Sequence, residues 1–210
     1  VDYGFCHDNF TAYYIIIPVT YYLYKSKKRL ADLTDKDKQT MRMFLITGMV
    51  KKIFSASVES GLTNILNKLR QTNLNGEIEL ACKDHFDFDS LKVLEFQEKT
   101  LRIEEGDLEE ILGFKKGPLT FMILSLLYPE LKLGEIKWHQ DHIHPQYAFE
   151  RKRLIKYFAE KGLKLDENTL KEWITKSNTL VNLQLLTGKQ NQEKSKTPLA
   201  KWIENQFEDD

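Results

Sequence analysis

The period of the apolar residues changes once along this chain, and that change limits what it can fold into. Over the first 130 residues the apolar side chains recur at helical spacing. Leu62, Ile65, Leu66 and Leu69 stand at i, i+3, i+4 and i+7, the stripe of an amphipathic helix. Residues 40–54 space Met41, Phe44, Leu45, Val50 and Ile53 in a similar way, behind Thr34, Asp35 and Asp37, an N-cap followed by acids. Residues 10–24 are aromatic and branched, with a kink or break expected at Pro18. Short helices are expected over residues 88–96 and 107–112, and a buried one over 119–127 ended by Pro129. Residues 73–76 carry a turn signal. Past Gly134 the pattern becomes strand-like, with period-two alternation over residues 136–140. The expected organisation is therefore mainly α: an all-helical domain over 1–130 and a second domain over 131–210.

A length of 210 residues allows such a pair of small domains, each with its own core. The formal net charge is zero, so the whole-chain balance points to no polyanionic partner, but its distribution does. Residues 150–201 hold twelve basic against six acidic residues, a local surplus of six positive charges. Such a segment fits a footprint for phosphates, with Lys152, Arg153, Lys156, Lys189 and Lys196 as the candidate DNA contacts; taken alone, a solvated lysine-rich surface is the commoner reading. Cys6 and Cys82 are too few for a disulfide framework or a CxxC zinc site, and suit a reducing cytoplasm as buried small hydrophobes. The apolar stretch 11–24 is too short to cross a bilayer, so no membrane association is expected. The chain starts at Val1 rather than Met, which suggests a piece of a longer protein. His85 has nothing beside it in sequence to complete a site and is read as a surface or capping histidine.

Chemistry concentrates in two places. The first is Gln140-Asp-His-Ile-His-Pro145, an Asp-His pair at the end of a strand. The second is Val181-Asn-Leu-Gln-Leu-Leu186, a short strand preceded by Asn178. It is followed by Thr187-Gly-Lys-Gln190, which matches a capping box. The helix so capped carries Asn191 and Lys194 three apart, on one face. The order is strand, Asp-His loop, inserted helices, strand, short helix. If the strands pair and the helix packs on them, Asp141, His142 and Asn191 converge. A neutral imidazole suits a general base, being largely unprotonated at neutral pH with an ordinary pKa of about 6.5. The Asp141 carboxylate and the Asn191 amide oxygen are hard donors suited to Mg²⁺ or Mn²⁺. Lys194, one turn on, is placed for phosphate oxygens. A zinc-stabilised finger is disfavoured by the absence of a Cys pair.

Asp141-His142-Ile143, then Asn182 and Asn191 nine residues apart, then Lys194, resembles the signature of the HNH (His-Me finger) endonucleases. The longer match, Asp-His-Ile-His-Pro and Asn-Leu-Gln-Leu-Leu with its following Asn and Lys-Ser, is similar to the C-terminal nuclease part of GmrSD/SspE-type bacterial anti-phage restriction proteins. The resemblance covers residues 136–195 strongly and the helical region weakly. It implies a ββα-metal nuclease domain with helical insertions, hydrolysing DNA phosphodiester bonds in restriction. The family roles carried over are His142 as general base, Asp141 and Asn191 as ligands of a single divalent ion, and Asn182 orienting the His-bearing loop. Lys194 is counted among the catalytic residues and His144 as an auxiliary. A ParB-like N-terminal sensor domain would be a partner in the full-length protein, a homo-oligomer is allowed, and the location would be the bacterial cytoplasm. One departure is the 40-residue gap from His142 to Asn182, which requires helices inserted over 146–173. The competing expectation is a DNA-binding or assembly module that keeps the fold without cutting.

Overall fold

The computed structural model describes residues 12–55, 57–128, 131–133 and 135–207. It is mainly helical, with two small antiparallel two-stranded sheets among the described residues. The chain divides into two compact units between Asp107 and Leu108.

In the first unit the helices are α1 (Ile16–Ser26), α2 (Asp35–Val50), α3 (Val58–Leu69) and α4 (Phe88–Leu91). α2 begins where the sequence predicts, with Thr34 accepting from the Asp37 N–H and Asp37 reaching back to the Thr34 N–H. Pro18 does not break its helix. It sits in the first turn of α1, where no intrahelical partner is owed to the missing N–H. The turn at 73–76 proves to join two strands, β1 (Arg70–Thr72) and β2 (Ile78–Leu80). Asn73 Oδ1 accepts from the N–H groups of Asn75 and Glu77, and Gly76 takes a φ of 81°. These three-residue strands are mostly exposed; only β2, Ile78-Glu79-Leu80, alternates apolar and polar residues, and that run is too short to mark a strand in the sequence. The helix expected over 88–96 stops at Leu91, and a tight pairing of Phe96 with Lys99 around Gln97 at φ 51° follows. Phe44 packs edge-to-face against Phe86 and Phe88, and Phe86 against Tyr22, at ring separations of 5.2–5.8 Å. Cys82 is half-buried rather than buried, its Sγ 3.5 Å from Nδ1 of the exposed His85; Cys6 and Pro129 lie outside the described residues.

The division lies within α5 (Glu105–Leu112). The second unit continues with α6 (Pro118–Leu127), β3 (Trp138–His142), α7 (Arg151–Glu160), α8 (Glu167–Lys176), β4 (Leu183–Thr187), α9 (Gly188–Lys194) and α10 (Leu199–Phe207). The change near residue 130 thus falls inside a unit and not between units. The reason is packing: Leu124 of α6 is buried with Leu180, Leu183 and Leu185, and Phe121, Ile123 and Trp138 close around them. Each such side chain contributes about 1.5–3 kcal/mol when fully buried, more than a local change of periodicity can offset. A two-point contact pins α6 to β3, the Gln140 amide accepting from Gly117 N–H and donating to Gly117 C=O at 3.1 and 3.0 Å.

β3 and β4 pair antiparallel in a register that runs from Trp138 opposite Thr187 to His142 opposite Leu183. α9 follows β4 directly and packs on both strands. The predicted capping box starts it: Thr187 Oγ1 accepts from the Gln190 N–H, and Gln190 Oε1 from the Thr187 N–H at 3.0 Å. Between the strands lie a 3₁₀ turn (Gln146–Phe149), α7 and α8, the insertion that the long gap requires. α7 and α8 are tied by Arg151 donating to both carboxylate oxygens of Glu167 at 2.7 and 2.6 Å, which holds the Glu167 carboxyl below its ordinary range. Asp166 caps α8 through the N–H groups of Asn168 and Thr169. No helix among the described residues is long and apolar enough to cross a membrane.

Candidate active site

Four elements meet at the end of β3. Its last two residues, Asp141 and His142, are half-buried and lead into the turn Ile143–His144–Pro145. Asn182, just before β4, holds that turn from below. It is 5 % exposed, and its Oδ1 accepts from the His144 N–H while its Nδ2 donates to the carbonyls of His144 and Ser177, all at 2.8–2.9 Å. Its backbone carbonyl also takes the Ile143 N–H at 2.8 Å. Every side-chain hydrogen-bonding direction of Asn182 but one is thereby used on backbone of the His-bearing turn and of the segment after α8.

Lys194 closes the site from the other side, though not as the sequence suggests. Expected on a phosphate, its side chain is fully buried, and the ammonium lies 2.8 Å from Asp141 Oδ2 and donates to the His142 carbonyl at 2.6 Å. The physical reason is its position in the last turn of α9, on the face that packs against the strands, where a buried ammonium needs acceptors within reach. It therefore positions the Asp141–His142 segment. Ser195 follows in a left-handed φ of 43°, an uncommon conformation for a residue with a Cβ.

The His142 ring is held by a residue whose role the sequence did not disclose. Nε2 lies 2.9 Å from Asn178 Oδ1. An amide oxygen only accepts, so Nε2 is the donor in this contact, and in a neutral ring the lone pair would then be on Nδ1. Asn178 lies in the turn after α8, four residues before Asn182. The only signal for it was a second asparagine ahead of the strand. Gln184 was likewise unmarked; its Nε2 stands 3.5 Å from Asp141 Oδ2.

Asp141, His142 and Lys194 line a cleft of about 210 Å³ together with Pro145, Gln146, Tyr147, Ser195 and Lys196. Asn191 shares the strand-facing side of α9 with Lys194, three residues earlier, and is half-buried; its side-chain amide makes no hydrogen bond among the described residues. No group of three or more His, Cys, Asp or Glu side chains able to hold a metal occurs among the described residues. The candidate donor set is of another kind, one carboxylate and one amide. Both protein contacts of Asp141 fall on Oδ2, leaving Oδ1 uncommitted. That oxygen is a hard donor of the kind a divalent cation takes, as is the Asn191 amide oxygen, but Asn191 is not among the residues that line the cleft, so the structure does not bring the two predicted ligands together there.

Of the remaining predicted residues, Lys196 alone lines the cleft, where it is exposed. Lys152, Arg153 and Lys156 are exposed on α7, with Arg153 paired to Glu150 at 3.1 Å and Lys156 to Glu160 at 3.8 Å. Lys189 is exposed and 3.7 Å from Glu193. Such surface pairs neutralise part of the basic surplus at a gain of only about 0–1 kcal/mol each, so they are easily exchanged for phosphate contacts. His144 is exposed and lines a neighbouring groove rather than the cleft. His139 is half-buried on β3, with Nε2 close above Gly188.

No known protein family matches the chain, and comparison with curated proteins finds no match.

Proposed function

We propose that the second unit is a metal-dependent DNA endonuclease of the HNH type, hydrolysing or nicking phosphodiester bonds. The observation that carries this reading is the joint placement of Asp141, His142 and Lys194 in one cleft, with the His142 ring held through Nε2 by Asn178. The antiparallel β3–β4 pair followed by α9 agrees with a ββα-metal core, and α7 and α8 with a helical insertion. Restriction of foreign DNA in a bacterial cytoplasm, with a sensor domain elsewhere in a longer protein, is the biological setting that the resemblance adds.

In this mechanism His142 Nδ1 takes a proton from the attacking water as the new P–O bond forms and the ester P–O bond breaks. Asn178 keeps the proton on Nε2, and Asn182 keeps the turn in place. Asp141 and Asn191 would hold a single Mg²⁺ or Mn²⁺, which supplies Lewis-acid stabilisation of charge on phosphate and leaving oxygen. Lys152, Arg153, Lys156, Lys189 and Lys196 would meet the strand's phosphates.

A second reading has one observation in its favour. Lys194 already neutralises Asp141, so the carboxylate has less need of a metal, as in a DNA-binding module that does not cut. Nicking of supercoiled plasmid by the full chain, dependent on Mg²⁺ or Mn²⁺ and stopped by a chelator, decides for the enzyme. Binding without cutting under every divalent ion decides for the module.

Two further outcomes are expected. Asn178→Ala slows cutting by roughly 10–100-fold, the usual cost of losing an orienting partner. In Asn178→Asp the carboxylate favours the charged imidazole, so the acid limb of the pH–rate profile moves to higher pH; an unmoved profile removes Asn178 from the mechanism. Replacing Lys152, Arg153 and Lys156 together by Ala weakens DNA binding and flattens its salt dependence. The log–log slope falls by about one for each phosphate that the variant no longer neutralises, which a binding titration across salt concentrations measures.

A further inference from the structure

Beside the catalytic cleft runs a second, larger groove of about 680 Å³, and Tyr147 lines both. Its other walls come from α7, α8 and the start of α10. Tyr157, Phe158 and Trp173 form a chain of edge-to-face rings, Phe158 standing 5.3 Å from Tyr157 and 5.4 Å from Trp173. The two outer rings are open to solvent, Tyr157 at 53 % and Trp173 at 41 % exposure. Cations stand over the rings: the Arg153 guanidinium lies 5.0 Å from the Tyr147 centroid and Lys161 Nζ 5.4 Å from that of Tyr157. No carboxylate is among the lining residues, although Arg153 also pairs with Glu150.

Large exposed rings interleaved with cations, and free of carboxylates, match one kind of ligand well. A nucleobase offers a flat π-face to an aromatic ring and a phosphate to the adjacent ammonium or guanidinium, whatever its sequence. An aliphatic partner would leave Lys161 without a counter-charge and Arg153 with only its surface pair to Glu150. The position argues the same way, because a strand whose phosphate lies in the cleft at His142 passes Tyr147 to reach the groove. Given the DNA substrate proposed above, we infer that this groove receives an unpaired nucleobase of the strand being cut, stacked on Trp173 or Tyr157. The enzyme would then prefer DNA with unpaired or displaced bases near the scissile bond over uniform duplex.

The test uses the full chain in a chelating buffer, so that nothing is cut, with a single-stranded oligonucleotide carrying 2-aminopurine and the same oligonucleotide in a fully paired duplex. The wild-type protein is expected to bind the single strand and to quench the probe. Trp173→Ala and Tyr157→Ala each weaken that binding by about tenfold and relieve the quenching, while duplex affinity changes by less than about twofold. Because a ring truncation disturbs packing with Phe158, Lys161→Glu is the companion variant; its side chain is exposed, and it is expected to weaken single-strand binding with the unfolding midpoint unchanged. Equal losses on single strand and duplex, or no loss on either, overturn the inference. So does a self-association that Trp173→Ala abolishes with DNA affinity intact. Wild-type protein that binds no DNA of either kind overturns the nuclease reading with it; plasmid nicking that persists with silent groove variants overturns this inference alone.

Discussion

Replacing Lys194 by methionine is expected to destabilise the second unit by about 3–5 kcal/mol, the usual cost of removing one partner of a buried ion pair. Methionine keeps most of the volume, so a cavity is not the main cause. The loss is electrostatic. The ammonium is fully buried and serves two acceptors at once, the Asp141 carboxylate at 2.8 Å and the His142 carbonyl at 2.6 Å. Without it, a carboxylate only 16 % exposed has no cation beside it. For a unit of this size the midpoint of thermal unfolding falls by roughly 10 °C or more. The double variant Lys194→Met with Asp141→Asn removes the stranded charge and recovers part of the loss, a coupling of about 0.5–3 kcal/mol in a double-mutant cycle. Additive losses, or a single variant as stable as the parent, would show that the buried pair does not hold the site together.

His142→Ala is the counterpart, an expected loss of activity with little loss of stability. The imidazole is half-buried and its side-chain bond runs to the half-buried Asn178, so truncation leaves the Asn182 clamp and the Lys194 pair untouched. A positioned general base contributes about 10²–10⁴-fold, equal to roughly 3–5 kcal/mol of barrier at about 1.4 kcal/mol per factor of ten. Plasmid nicking should fall by that factor while the unfolding midpoint and DNA affinity stay near those of the parent. Nicking at the parental rate would remove His142 as the base and, with it, the central step of the proposed mechanism.

These two residues also mark where the sequence was legible. The capping box at Thr187 and Gln190 is local chemistry written in consecutive residues, and the structure forms it as predicted. Strands are expected over 136–140 and 181–186; the structure forms them at 138–142 and 183–187, with 180–182 a 3₁₀ turn, so their existence was legible and their ends were not. Lys194 was misjudged because spacing on a helix tells which side chains share a face but not whether that face is wet or dry. Here it is dry, and an ammonium expected to face a phosphate turns inward instead. Asn178 was overlooked for a related reason. Its partner is 36 residues away, and only the folded path of α7 and α8 brings the amide to the imidazole. The division at 107/108 depends on Leu124 meeting Leu180, Leu183 and Leu185, a contact across more than fifty residues that no window of periodicity contains.

The register of the two strands has a consequence for how this architecture tolerates change. His142 and Leu183 face each other across β3 and β4, at the few-ångström separation of any paired residues. The forty residues between them thus leave and return at nearly the same point, a closed excursion whose length the hairpin does not sense. Lengthening such an excursion costs little, about 0.6 kcal/mol for each doubling. α7 and α8 behave as an exchangeable cassette, free to be enlarged, trimmed or swapped so long as Asn178 and Asn182 remain on the returning limb. If the second unit is the nuclease proposed above, its substrate preference could diverge through this cassette while the residues of the cleft stay in place.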